Sequence, residues 1–246
     1  MLRAAIFIDG GYILNQFKMN RINPDFEKLP DYLLAPLRKS IQLDMLRCYF
    51  YYCAPWMSAE PSEDELRRMA SHEEFEQEIT SFDRWQLRLG KLERRREGNK
   101  EYFEQKRVDV LLSVDLVRHA AAGHIQHAIL VAGDSDFIPA VAAAKESGVT
   151  MTVWCGAFNS VHRDLIILAD EVHQFDWSKV PKSAGDKTPH RGTRPPLSPS
   201  ERQRSSSSRR GPHRPVPVDS QPESSSGGGS RPSFSERIKS RLKGGS

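Results

Sequence analysis

The sequence is poor in cysteine, with three in 246 residues. Cys48, Cys53 and Cys155 cannot build a disulfide framework. Cys48 and Cys53 are spaced C-x₄-C with no second ligand pair nearby, so they read as buried apolar residues rather than a zinc site. Long hydrophobic runs are absent too. Runs such as Ala4–Ile8 and Ala128–Ala132 fall far short of the ~20 residues that span a bilayer. The first run stops at Asp9, so no secretory signal is expected, and the chain reads as a reduced, cytoplasmic protein. Several nucleotide and nucleophile signatures are missing. No G-x-G-x-x-G follows a strand, no G-x-x-x-x-G-K-[ST] occurs, and there is no G-x-S-x-G elbow, which removes the usual dinucleotide cradle, the P-loop and the hydrolase serine. Gly11 stands where an aspartyl-phosphate hydrolase would carry its second Asp.

The apolar fraction is 38%, and the net charge of +4 hides an asymmetry. From Pro181 to Ser246 there are 14 Lys+Arg and 5 Asp+Glu, which leaves 22 basic and 27 acidic residues for the preceding 180. The same stretch holds 16 Ser and 10 Pro, too polar to bury enough surface to offset its ordering entropy. The expected organisation is a folded, mildly acidic domain over 1–178 and a disordered Ser/Pro/Arg-rich basic tail over 179–246. The tail reads either as a solubilising linker or as an electrostatic tether for nucleic acid. Near its end Phe234, Ile238 and Leu242 recur at i, i+4, i+8 among Arg237, Lys239, Arg241 and Lys243. That is the pattern of a short basic amphipathic helix over 234–243, suited to a protein partner or a membrane surface.

Within the first part, strand-like and helix-like segments alternate. Ala4–Ile8, Leu46–Tyr52, Gln86–Arg95, His127–Ala132, Val149–Trp154 and Val172–Phe175 read as strands. Ser62-Glu63-Asp64-Glu65 is a capping box opening a helix, and Val108–Ala122, Phe137–Ser147 and Asn159–Ala169 read as further helices. The alternation predicts an α/β fold with a parallel sheet and helices on both faces. Ligands in such folds bind outside the carboxyl ends of the strands.

Two predicted strands end in carboxylates: Asp9 after the first, and Asp134 and Asp136 after the fourth. Each has an ordinary explanation. Asp9 serves equally as a turn residue, Asp134 as a helix cap, and Asp109 as a favourable charge at a helix start. Together, acids recurring at strand ends repel one another unless a cation is present. A set of Asp without His or Cys suits Mg²⁺ or Mn²⁺. Asp115 lies in the otherwise apolar run Leu111–Val117 and needs a partner or a metal. Six residues from Asp109, it points about 240° around an ideal helix from it.

Phe7-Ile8-Asp9-Gly10-Gly11-Tyr12, Lys106-Arg107-Val108-Asp109-Val110 with Asp115, and Val131-Ala132-Gly133-Asp134-Ser135-Asp136-Phe137 with Gly148 resemble the ordered motifs of the NYN domain, in the LabA-like branch of the PIN-like ribonuclease superfamily. The resemblance runs from about Arg3 to Asp176. It implies a Rossmann-like sheet and an acidic set of Asp9, Asp109, Asp115, Asp134 and Asp136, with Asp9, Asp109 and Asp134 holding Mg²⁺ or Mn²⁺. Two positions depart from the common pattern: Tyr12 where many relatives carry Asn, and Arg107 where many carry Gly.

Arg84 to Arg107 carries nine basic residues against four Glu. This is either a solvated strand edge or a phosphate-tracking surface leading to Asp109. On the second reading Lys91, Arg94, Arg95, Lys106 and Arg107 grip an RNA backbone, and Tyr12, Tyr102 and Phe103 offer stacking faces to unpaired bases. Acids beside bases are what a phosphodiester nuclease requires, and with the resemblance the expected function is a metal-dependent ribonuclease. A non-catalytic RNA-binding module and a phosphatase or nucleotidase are the alternatives.

Overall fold

The computed structural model describes residues 1–97 and 100–183, with backbone only from 93 to 106. Strand β1 (Leu2–Asp9) is followed without a gap by α1 (Gly10–Met19), then α2 (Leu29–Leu34), β2 (Leu43–Cys53), α3 (Glu63–Ser81), β3 (Trp85–Glu97) and β4 (Lys100–Lys106). The second half holds α4 (Val108–Ala121), β5 (His127–Val131), α5 (Ile138–Glu146), β6 (Thr150–Cys155), α6 (Arg163–Leu168) and β7 (Glu171–Gln174). The sheet order is β4-β3-β2-β1-β5-β6-β7. Six strands are parallel, and β4 alone runs antiparallel, against β3. The α/β fold with a parallel sheet, helices on both faces, is therefore the one expected. The tail beyond Ser183 and the helical pattern at 234–243 lie outside the described residues.

β1 is central because it is apolar on both faces. Ala4, Ala5, Ile6, Phe7 and Ile8 are all fully buried, as a strand covered by helices on each side requires. Ala5 and Phe7 join Leu112 and Leu116 of α4 and Val141 and Ala144 of α5 on one face. Ile6 and Ile8 meet Ile13 and Phe17 of α1 and Phe75 and Ile79 of α3 on the other. The three cysteines are buried, and none is in a disulfide among the described residues. Among the described residues, no helix is long and apolar enough to cross a membrane.

Local signals explain the element ends. Ser62 and Glu65 form the expected capping box of α3. α5 carries Pro139 in its first turn and is followed by Gly148 at φ +82°, a left-handed position that a glycine adopts freely. Two elements were not foreseen. β4 is rich in charge and borrows its pairing from β3, and α2 is one short turn led by Pro30.

Residues beyond the expected boundary at 178 still pack. Val180 is 2% exposed. Asp25 N–H donates to the Pro181 carbonyl at 2.9 Å, and Ser183 N–H donates to that of Asn23 at 3.1 Å. A chain ending at Ser183 should therefore melt like the full-length protein. One ending at Ser178 should lose about 2–4 kcal/mol, from one buried valine and two backbone hydrogen bonds. Urea unfolding of the two truncations checks this; equal midpoints would show that the segment contributes nothing.

Candidate active site

In the sheet order, β1 lies between β2 and β5. The chain leaves β1 toward β2 on one side and returns to β5 on the other, so the β1/β5 crevice is the topological switch point. The parallel register sets Ile8 beside Val131. Asp9, the last residue of β1, and Asp134, three residues past β5, therefore emerge at the same edge. α4 runs back against the strands and starts with Asp109 in its first turn, which brings a third acid toward that edge.

Close backbone approach shapes the crevice. A side-chain carbon at Gly10 would meet the Phe50 ring and the Tyr51 carbonyl, and one at Gly133 would meet the Ser160 carbonyl and the Tyr12 ring. Asp9 caps α1: its Oδ1 accepts from Tyr12 N–H at 3.1 Å. Asp134 Oδ1 accepts from the Ser135 hydroxyl at 3.2 Å and from Asp136 N–H at 3.4 Å. Both acids thus serve as caps, which the simpler reading allowed for Asp134, whereas it gave Asp9 as a turn residue. That use does not exhaust them.

Asp9 retains some solvent contact, yet its carboxyl lies deep enough that lost hydration is the leading reason its pKa rises to about 7. Backbone N–H groups of Tyr12 and Gly11 pull it down, and the charges of Asp109 and Asp134 push it up again. Burial and like charge outweigh two capping bonds and the positive end of a helix. Each of the other two carboxylates therefore acts electrostatically on Asp9.

The donor set of the crevice is all carboxylate oxygen, which suits a hard divalent cation, and a cation there would relieve the strained charge of Asp9. Among the described residues, no three acidic, imidazole or thiol groups stand close enough to grip one ion. The chemistry of the acids fits a metal; a ready-made three-ligand cage is not part of this conformation.

The remaining expected residues fall in three places. Asp136 sits exposed in the 3₁₀ turn Ser135–Phe137. Asp115 lies on α4 away from Asp109: it is buried, and it accepts from Tyr51 Oη at 3.0 Å, Arg88 Nε at 3.2 Å and Arg118 Nη2 at 2.9 Å. Tyr12 is tied inward. Its hydroxyl is 2.9 Å from Ser160 Oγ and accepts from Gly156 N–H at 2.9 Å, so Tyr12 braces the loop after β6 against α1. Lys91 is exposed and pairs across the hairpin with Lys106, one residue before Arg107. The side chains of Arg94, Arg95, Tyr102, Phe103 and Lys106 lie outside the described residues. His119 is buried, and its Nε2 lies 2.8 Å from Tyr49 Oη. Neither the Asp115 partners nor this bond had a sequence signal, because they join residues on separate elements.

Arg107 has φ +75° immediately before α4, where glycine would be unstrained. An arginine there costs about 1 kcal/mol. The family-model comparison matches the NYN domain over residues 3–176. No curated protein matches the chain significantly. Among solved structures, a protein of unknown function from Vibrio parahaemolyticus is similar at 20% identity, covering 71% of this chain and 93% of that one with a TM-score of 0.48. That likeness carries no functional argument.

Two outcomes are expected. The raised pKa of Asp9 means that the folded state holds its proton more tightly than the unfolded one. The contribution of this proton to stability is therefore full below about pH 4 and is lost as pH climbs through 7. In chelator, Asp9→Asn should match wild type near pH 4 and exceed it by roughly 2–4 kcal/mol at pH 8; urea titrations showing no pH-dependent gain would remove the buried charge. Arg107→Gly should stabilise the domain by about 1 kcal/mol, read by urea unfolding.

Proposed function

Because the chain belongs to the NYN domain family over residues 3–176, a family within the PIN-like nuclease superfamily, we propose that it is a metal-dependent ribonuclease of the LabA-like branch. The observation that carries this reading is the Asp9 carboxyl at the β1/β5 switch point, held near a pKa of 7 by burial and by the charges of Asp109 and Asp134. Unfavourable charge concentrated in a crevice is the usual mark of a site that works on a ligand.

Asp9, Asp109 and Asp134 would hold Mg²⁺ or Mn²⁺. Bound there, the cation supplies charge stabilisation to phosphoryl oxygens and acidifies water for in-line displacement. Asp136, exposed beside Asp134, orients water or completes the ligand shell. Lys91, Arg94, Arg95, Lys106 and Arg107 hold the RNA backbone, which positions the strand without reading its bases. Tyr12 contributes by bracing the loop after β6 and by offering its ring edge at Gly133. A cytoplasmic location agrees with three buried thiols in no disulfide. The second reading, a non-catalytic RNA-binding module, is favoured by the lack of a three-ligand cluster among the described residues.

RNA cleavage with Mn²⁺, Mg²⁺ or EDTA separates the two. Wild type should cleave single-stranded RNA only with metal. Asp134→Asn should lose cleavage by at least about a hundredfold, since one charged transition-state contact is worth ~3 kcal/mol, while RNA affinity changes little. A wild type that binds RNA as well as Asp134→Asn does and never cleaves it would make the module reading the correct one.

A further inference from the structure

α4 carries a second charged constellation, on the β2/β3 side of the sheet; it includes Tyr51, which pairs with Asp9, and so adjoins the crevice from that side. A bulge in β2 starts it. Ala4 pairs with Met45 but Ala5 pairs with Arg47, so Leu46 is the extra residue and the pleat is re-aimed. Beyond it Arg47, Tyr49 and Tyr51 share one face, since alternate residues do. Arg88 on β3 pairs with Tyr51 and joins that face.

Asp115 is the hub. Its side chain is 10% exposed, against 32% for Arg88 and 58% for Arg118. Oδ2 takes Tyr51 Oη and Arg88 Nε, and Oδ1 takes Arg118 Nη2. The Arg88 guanidinium also lies 5.7 Å from the Tyr49 ring centre, a cation–π contact that fixes its plane. One carboxylate thus holds two guanidiniums. Among the described residues, the remaining N–H groups of Arg88 and Arg118 have no acceptor. Arg47 is exposed two residues from Tyr49, and its charge acts on the Tyr49 hydroxyl together with those of Arg88 and Arg118. Three arginines against one carboxylate leave an excess of two positive charges. A guanidinium fork pre-set by a buried carboxylate is suited to phosphate oxygens, because its planar donors match them two at a time.

We propose that Arg88 and Arg118, aligned by Asp115 and joined by Arg47, form a clamp for the backbone phosphates of an RNA strand running along the flank of α4. Asp115 is then a positioning residue for arginines, not a metal ligand. Arg118 lies nine residues from Asp109, about 13 Å along the helix, which is about four nucleotides at a stacked rise of ~3.4 Å. The substrate class is accordingly RNA with a single strand extending several nucleotides from the scissile bond. The inference rests on the ribonuclease reading for its substrate but is tested by binding alone.

The test uses full-length protein carrying Asp134→Asn, with fluorescein-labelled 4-mer and 12-mer oligoribonucleotides in EDTA. Adding Arg118→Ala should weaken 12-mer binding about tenfold, as loss of a charge-assisted phosphate contact does. It should lower the slope of log affinity against log salt by ~0.7 and leave the 4-mer unchanged. Arg118→Lys should restore the slope but only part of the affinity. In otherwise wild-type protein, Asp115→Asn should weaken the 12-mer while preserving the Mn²⁺-induced rise in melting temperature. An unchanged salt slope in Arg118→Ala, or loss of the Mn²⁺ shift in folded Asp115→Asn, overturns the proposal. Wild type that binds with this length dependence yet never cleaves would sink the nuclease reading and leave the clamp standing. Cleavage with no length-dependent effect of Arg118 would do the reverse.

Discussion

The parallel pairing of β1 between β2 and β5 is the constraint on which the rest depends. Its five central residues are fully buried, so the strand cannot slip by one residue without turning an apolar face toward the wrong helices. Parallel pairing also puts the carboxyl ends of its neighbours at one edge. Asp9 and the Asp134 loop are held there by the hydrophobic register of the buried strands. The cost is electrostatic: the acids gather where burial and mutual repulsion raise the Asp9 pKa to about 7. The surrounding core over-determines that position, so the domain can carry the strain.

α4 links the two charged regions. Its first turn carries Asp109 toward the crevice, while Asp115 and Arg118 face the flank where β2 and β3 bring Tyr49, Tyr51 and Arg88. Val108, Leu112 and Leu116 bury the stripe between them in the core. A helix whose apolar stripe is locked against the sheet fixes the azimuth of every other residue on it. Asp109 and Asp115 were bound to diverge once Leu112 faced inward. The acidic edge and the basic flank thus lie along one rigid element.

The two departures from the common family pattern acquire physical roles in the fold. Tyr12 spans from α1 to the loop after β6, with Gly156 N–H and Ser160 Oγ at its hydroxyl and its ring where a Gly133 side chain would stand. Arg107 occupies a left-handed turn at the junction of the β3–β4 hairpin and α4. One tightens the site; the other places a cation beside it at a conformational cost.

The sequence alone determined the α/β alternation, because buried strands read as short apolar runs and capped helices announce themselves, as Ser62 and Glu65 do. It determined the acids at the strand ends, since Asp9 follows directly on one apolar run and Asp134 comes one glycine after another. The β4 strand escaped it, because a charged edge strand has no apolar alternation and exists only through its ladder with β3. So did α2, a single turn too short for periodicity. Only the tertiary structure decided what Asp115 is for. Its partners come from Tyr51, Arg88 and Arg118 on three different elements, and a carboxylate in an apolar run has the same local sequence whether a metal or an arginine meets it. Local patterns specify elements; the partners of a buried charge are set by which elements pack together, and that information is nowhere local in the chain.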